Sequence, residues 1–231
     1  DGSWDGQPDL FSFNFNGYSG KFFFDTTGAF LIHSVQDLKI SYQKCTSCPP
    51  AILPGSIIEF TILTPDGLKY VFGNTGAYEY SKMISNGCKI KDYTQPIVTA
   101  WYLKTIHNPK TNGIFTFNYS SNQIQYDQSY NETFSYPQSY PSPCGSSSSQ
   151  VCVSVKTDYG VILNSIWAGN ETVNFTTSAG RTDLNGLSGN TQINGLNIQV
   201  NTTTILEYTF HQSIVTSTDA VQPLVSALSK N

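Results

Sequence analysis

Apolar and polar residues alternate with a period of two along much of this chain. The clearest case is the stretch 99–121, where Phe115, Phe117 and Tyr119 alternate with polar residues. Such alternation is typical of a strand with one buried and one solvent-facing side. The pair Asn112-Gly113 precedes this arm, and it favours the positive φ angles that a tight hairpin turn needs. The stretch therefore predicts a β-hairpin.

A second segment, residues 161–180, repeats this pattern. The matched residues are Leu103 with Leu163, Ile106 with Ile166, Asn112 with Asn170, Phe115 with Val173 and Phe117 with Phe175. We expect the two hairpins to occupy equivalent places in the fold, with buried side chains at Leu103, Ile106, Phe117, Leu163, Ile166 and Phe175. Weaker echoes occur at 17–33, 64–73 and 195–210. Hairpins in series form a meander, which buries its faces by stacking unit on unit.

Alternation and turn residues predict further strands elsewhere. These are Leu10–Phe15, Lys21–Asp25, Ala29–His33, Asp37–Tyr42, Ile57–Leu63, Leu68–Phe72, Gln123–Tyr126, Val151–Lys156, Asn197–Val200 and Ile205–Phe210. The segment 76–95 fits either a short strand or a helical turn, and Asp219 is placed to cap a short C-terminal helix. The sequence thus predicts an all-β fold, an antiparallel meander of repeated hairpins that forms stacked or curled sheets.

The segment 128–150 is rich in Tyr, Ser, Pro and Gln and has no period. Such a composition buries little surface and is typical of a long excursion or a joint. We therefore expect residues 1–231 to form one all-β unit, with this excursion as the joint between two halves.

The first hairpin also resembles the strand-turn-strand unit of bacterial Rhs/YD-repeat surface proteins. The residues that carry the likeness are Trp101, Leu103, Ile106, Pro109, Asn112, Gly113, Phe117 and Tyr119. The segment 13–25, followed by 64–73 and 99–106, is similar to the region that precedes the repeats in such proteins. The YD signature itself is absent, and Tyr126-Asp127 lacks its Arg and Gly neighbours.

This resemblance implies a bacterial protein that is extracellular or attached to the cell envelope. Repeats of that class wrap a β-shell around a C-terminal domain that is often toxic. The chain would then be a non-catalytic scaffold segment, and its partners would be the downstream repeats of the same parent protein.

Composition excludes two other classes of partner. The net charge is −4 and no basic run occurs, whereas a nucleic-acid interface shows a stripe of Lys and Arg. No apolar run approaches the roughly 20 residues of a membrane helix. Because the chain begins at Asp1 and shows no signal peptide, we expect a mature or excised piece of a longer protein.

Five cysteines are present. Cys144 and Cys152 flank a Ser-rich loop, and a disulfide there would stabilise the fold by about 2–3 kcal/mol. Cys45 and Cys48 fit a structural clip better than a redox pair or half of a zinc site. Cys88 is then left over. Such bridges agree with an extracellular location.

The sequence predicts no catalytic residue, metal or cofactor. His33, His107 and His211 lie far apart in the sequence, and no nucleophile elbow occurs. Nothing in the sequence couples any two of the carboxylates that a glycosidase needs; the candidates are Asp5, Asp9, Glu59, Glu79 and Asp183. The segment from Asp183 lacks the full calcium-loop pattern, so a polar turn is favoured there.

Carbohydrate binding is the alternative function. Trp4 and three tyrosines, Tyr130, Tyr136 and Tyr140, are candidates to stack on sugar rings of cell-surface glycans. Trp101 and Trp167 lie beside the apolar positions of the repeated hairpins, so we expect both in the core. A glycoside hydrolase-like enzyme ranks third.

Overall fold

Strands are the regular elements of the part of the chain that the computed structural model describes, residues 9–25, 27–34, 36–46, 52–86, 93–135, 148–180 and 191–213. They are β1 (Phe11–Phe15), β2 (Tyr18–Phe24), β3 (Phe30–Ser34), β4 (Lys39–Lys44), β5 (Ile57–Leu63), β6 (Lys69–Gly73), β7 (Tyr78–Asn86), β8 (Tyr93–Trp101), β9 (Leu103–Asn108), β10 (Gly113–Ser135), β11 (Ser148–Ala168), β12 (Glu171–Ala179), β13 (Thr191–Val200) and β14 (Thr203–Thr209). This confirms the all-β antiparallel prediction. The helix predicted after Asp219 lies outside the described residues.

The strands form two antiparallel sheets. β1, β2 and β3 make a three-stranded sheet. The larger, eleven-stranded sheet has the order β14-β13-β12-β11-β10-β9-β6-β5-β4, and the β7–β8 hairpin joins it through β11. The segment 76–95, which fitted either a strand or a helical turn, therefore contributes strands in its described part.

An aromatic core lies where the small sheet packs on the large one. Phe22 of β2 and Phe60 of β5 are 3% and 5% exposed, and their ring centroids are 5.3 Å apart. The members of this aromatic core are Phe11, Phe13, Phe15, Phe22, Phe24, Phe30, Tyr42, Phe60, Tyr70, Phe72 and Trp101. Period-two alternation puts Phe11, Phe13 and Phe15 on one face of β1. The amphipathic strand pattern therefore accounts for the docking of the two sheets.

A tight corner after β6 brings the β7–β8 hairpin over β5. Gly73 has a φ of +86°, and a Cβ on it would lie 2.2 Å from the Ile58 carbonyl oxygen. The Trp101 indole Nε1 donates to the carbonyl oxygen of Ile57 at 3.0 Å. Glycine is required at this position because both the positive φ and the close approach exclude a side chain.

The predicted hairpins are present and stand side by side. Ile106 faces Phe115 across β9–β10, and Ile166 faces Val173 across β11–β12, as the repeat pattern predicted. Their loops differ, because residues 109–112 close the first hairpin and residues 169–170 close the second. The turn residues are accordingly not equivalent: Asn112 has a positive φ of 55°, and in the second loop Gly169 has the positive φ, 63°.

A continuous apolar row crosses five neighbouring strands. Register pairs Phe117 with Ile166, Ile166 with Val173, Val173 with Ile198, and Ile198 with Leu206. The prediction that Phe117, Ile166 and the other matched residues are buried is wrong, since all six are only half-buried. In the described part of the chain, β12, β13 and β14 contact mainly their own neighbours in the sheet. The apolar row is therefore less covered by a second layer than the side chains between two packed sheets are.

The segment 128–150 is strand in its described parts. β10 continues to Ser135 and β11 begins at Ser148, with Asn131 facing Cys152 across the pair. Residues 129–134 are exposed, as the polar composition predicted. Residues 136–147 lie outside the described part, and the division into two halves stays a prediction.

Candidate functional site

A polar network crosses β7, β8 and β11 and holds the charged groups nearest to a catalytic arrangement. Asp158 accepts a hydrogen bond from the Ser81 hydroxyl at 2.6 Å, and the Lys156 Nζ lies 2.8 Å from its Oδ1. On the same strand as Ser81, Glu79 Oε2 accepts a hydrogen bond at 3.0 Å from the hydroxyl of Tyr102, which lies between β8 and β9. The hydroxyl of Thr99 lies 3.4 Å both from Glu79 Oε1 and from the Ser81 hydroxyl, so the two halves form one network.

The charges and hydrogen bonds of this network favour a structural role, in which side chains hold neighbouring strands together. Burial, and then the nearby Glu79 carboxylate, raises the pKa of Tyr102 to about 12, so its hydroxyl remains a donor. Burial opposes the charge on Lys156, but hydrogen bonds to Asp158 and Tyr126 raise its pKa overall. Ser81 donates directly to Asp158, whereas a catalytic triad places a base between the nucleophile and the acid. The contact therefore acts as a structural hydrogen bond.

The carboxylates considered from the sequence fall in different places. Glu59 is buried and accepts from the Asn74 side chain at 2.5 Å, which fixes the corner after β6. Glu79 belongs to the polar network, where its acidic neighbour is Asp158. Sequence reasoning missed Asp158 because it lies far from Glu79 along the chain. Asp9 is exposed, and Asp5 and Asp183 lie outside the described residues.

The three histidines are not brought together. His33 lies on β3, His107 on β9 and His211 after β14. His107 is 3.4 Å from the side-chain oxygen of Asn112 in its own hairpin. Within the described ranges, no group of three or more His, Cys, Asp and Glu side chains is arranged to hold a metal ion.

An open cleft of about 910 Å³ lies between β1 and β8 and borders the aromatic core. Its lining includes aromatic rings of this core, among them Phe11, Phe60 and Trp101. A volume of this size is in the range of small-molecule sites, which also need a few placed polar groups. The polar residues of its lining include Lys44 and Thr99.

The candidates for sugar stacking are only partly described. Tyr130 is 42% exposed on β10, and its hydroxyl lies 3.5 Å from Glu132. Trp4, Tyr136 and Tyr140 lie outside the described residues. Trp101 packs in the aromatic core, as predicted. The prediction for Trp167 is wrong: this side chain is 54% exposed, because Ile166 takes the apolar side of β11 and turns its neighbour to the other face.

Trp167 lies in a polar face on the reverse of the apolar row. Register places it between Thr116 and Thr172, and the same row continues to Gln199 and Thr204. A second row beside it contains Asn118, Ser165, Asn174, Asn197 and Glu207. We call these two rows the polar face. Their alternation with the apolar row follows from the period-two geometry of a strand.

The predicted disulfides are only half described. Neither Cys45 nor Cys152 is a free thiol. Cys48, Cys144 and Cys88 lie outside the described residues, so the pairs Cys45–Cys48 and Cys144–Cys152 stay predictions.

No helix in the described ranges has the length and apolar character to span a membrane.

Comparison with known proteins finds no matching family model, no matching curated protein and no matching solved structure.

Proposed function

We propose that this chain is a non-catalytic scaffold segment of a secreted or surface Rhs/YD-repeat-like bacterial protein. The observation that carries the proposal is the solvent exposure of β14, the last described strand of the large sheet. All its residues are exposed, and Leu206 and Tyr208 are 42% and 50% exposed. In the described part of the chain, β14 stands at the edge of the sheet, and an exposed edge strand is a template for pairing with a further strand.

The opposite edge of the sheet is protected. β4 carries exposed lysines at Lys39 and Lys44, and lysine on an edge strand is a common protection against pairing. Tyr42, between them, points into the aromatic core. Within the described residues, the large sheet thus ends in a lysine-bearing strand at one edge and in the exposed strand β14 at the other, as expected of a unit that continues into the downstream repeats.

The apolar row supports the same proposal. It ends at Leu206 on β14, which is 42% exposed, and its other four members are only half-buried. A packed neighbour would remove this surface from water, which is favourable by roughly 25 cal/mol for each Å² of apolar area. Downstream repeats of the same parent protein are the partner that the resemblance implies.

The test compares this chain with one that is extended through the next repeats of the parent gene. Hydrogen exchange of the β14 amides should slow at least about tenfold in the longer chain, because the new strand would protect them. Equal exchange in the two chains would contradict the proposal. In the short chain, Leu206→Lys should reduce self-association measured by sedimentation, and Gln43→Lys on β4 is the matched control that should leave it unchanged.

The non-catalytic part has its own test. A screen against glycan, ester and peptide substrates should show no turnover. Turnover that is abolished by one substitution at His33, His107, His211 or Asp183 would contradict it.

Carbohydrate binding is the second candidate, with an extracellular glycan as ligand. The observation that favours it among the predicted residues is the exposed ring of Tyr130 on β10. Loss of glycan-array binding in Tyr130→Ala would support this function. Unchanged binding would show that other residues bind the glycan.

A further inference from the structure

We propose that the polar face around Trp167 is a binding site for a neutral polysaccharide chain. This site goes beyond the scaffold function and lies on the side of the sheet opposite the apolar row. The sequence favoured a core position for Trp167, and the site contains none of the other sugar-stacking candidates Trp4, Tyr130, Tyr136 and Tyr140.

The first argument is the exposed indole. Trp167 is 54% exposed and lies between Thr116 and Thr172 on neighbouring strands. A large flat apolar ring that is bordered by small hydroxyl side chains forms a platform. The C–H face of a sugar ring can stack on such a platform, and aromatic rings contribute large contact areas at little cost in conformational entropy.

The second argument is that the surrounding amides are already oriented. The Asn174 Nδ2 donates to Asn197 Oδ1 at 3.1 Å and to Gln199 Oε1 at 3.2 Å. The Asn118 Nδ2 donates to the Ser165 hydroxyl at 3.2 Å. Each amide has further donor or acceptor capacity beyond these bonds. Oriented amides of this kind can exchange hydrogen bonds with sugar hydroxyls without a new ordering cost.

The third argument is charge. The two rows carry amides, hydroxyls and one indole, and the exception is the carboxylate of Glu207 at the β14 end. The chain as a whole has a net charge of −4. A phosphate-rich or acidic polymer would find no cation in these rows, so the chemistry favours an uncharged ligand.

The size of the face favours a chain over a single sugar. Each row crosses five strands, and at a spacing of about 4.8 Å between strands it is roughly 19 Å long. That length suits a short run of linked sugar units lying across the strands.

The experiment is affinity electrophoresis of the chain in gels that contain soluble neutral polysaccharides, with mixed-linkage β-glucan, xyloglucan, galactomannan and xylan as the probes. We expect retardation by at least one of them. Trp167→Ala should weaken that binding at least about tenfold, as expected for the loss of a central aromatic anchor. Trp167→Phe should retain part of it because a smaller ring remains, and Gln199→Ala should cause a smaller loss.

Phe115→Ala is the matched control. Phe115 is 49% exposed, and it faces Ala168 beside Trp167 but on the reverse side of the sheet. This variant should bind as the unchanged chain does, and circular dichroism checks that all variants fold. The proposal is overturned if no neutral polysaccharide retards the chain, if Trp167→Ala binds as before, or if only acidic glycans bind. A change in sedimentation with Trp167→Ala, without a change in glycan binding, would assign the face to a protein partner instead.

Discussion

The aromatic core makes a quantitative prediction, which a Phe22→Ala substitution tests. Phe22 is 3% exposed on the central strand of the small sheet. Its ring centroid lies 5.0 Å from that of Phe11, 5.3 Å from that of Phe60 and 5.5 Å from that of Phe30. The substitution therefore opens a cavity between the two sheets.

The expected cost follows from two contributions. Removing a buried phenyl ring loses about 1.5–3 kcal/mol of transfer free energy. The unrelaxed cavity and the lost ring contacts add to this loss, and Phe→Ala substitutions in cores typically cost about 3–5 kcal/mol in total. With a urea m-value near 3 kcal/mol per molar, the unfolding midpoint should fall by roughly 1–2 M.

The assay is equilibrium urea unfolding followed by far-UV circular dichroism, with hydrogen exchange to locate the loosened strands. Phe115→Ala serves as the control, since Phe115 is 49% exposed and an exposed substitution should cost less than about 1 kcal/mol. Exchange should accelerate most in β1, β2 and β3. A midpoint shift no larger for Phe22→Ala than for Phe115→Ala would refute the docking of the two sheets through this core.

Three further predictions concern glycines, one buried hydroxyl and alkaline pH. Gly73→Ala should lower the free energy of unfolding by more than about 3 kcal/mol, because the added Cβ would meet Ile58 and Trp101. Gly76 has a similar φ of +74° but open space around it, so Gly76→Ala should cost only about 1 kcal/mol. Equal unfolding midpoints for the two variants would contradict this. Tyr70→Phe removes the acceptor of the 2.7 Å hydrogen bond from Asn16 and should cost about 0.5–1.5 kcal/mol, a cost absent in an Asn16→Gly background if the bond is its source. Burial raises the pKa of Tyr119 from 10.0 to about 12. The tyrosine of the unfolded chain therefore ionises first as the pH rises, and the stability of the fold should decrease between pH 10 and 12. Urea unfolding midpoints across this range should fall less steeply for Tyr119→Phe.

The hairpins could be predicted from the sequence because their signals are local. Asn112 and Gly113 mark the first turn, and the positive φ of Asn112 is the conformation that this residue type tolerates best outside glycine. The pairing of Ile106 with Phe115 then follows from alternation on either side. These interactions connect residues within one hairpin, so the repeat pattern in the sequence is enough to predict them.

The face of Trp167 could not be predicted in the same way. Ile166 and Trp167 are adjacent and both apolar, so alternation alone does not say which of them points into the apolar row. The choice is made by register with Phe117 on one side and Val173 on the other. Register between strands that are far apart in sequence depends on many pairs together, and a single segment does not reveal it.

The half-burial of the matched residues has a similar cause. The repeat pattern identified Phe117 and Phe175 correctly as residues of an apolar face, but a pattern says nothing of what covers that face. For the same reason, a Phe117→Ala change should now cost less than the 3–5 kcal/mol of a fully buried ring, since the loss scales with the area removed from water.

The two proposals draw on opposite faces of the same strands and can therefore hold together. Covering the apolar row would be favourable because it would remove apolar surface from water, and the scaffold proposal assigns that role to neighbouring repeats. The polar face carries amides and hydroxyls that are partly hydrogen-bonded to one another, and covering polar groups brings no comparable gain unless each finds a hydrogen-bond partner. In a shell of stacked sheets, the apolar side would turn toward the packed neighbours and Trp167 toward the surroundings. Substitutions at Leu206 and Trp167 should consequently act independently, the first on association and the second on glycan binding.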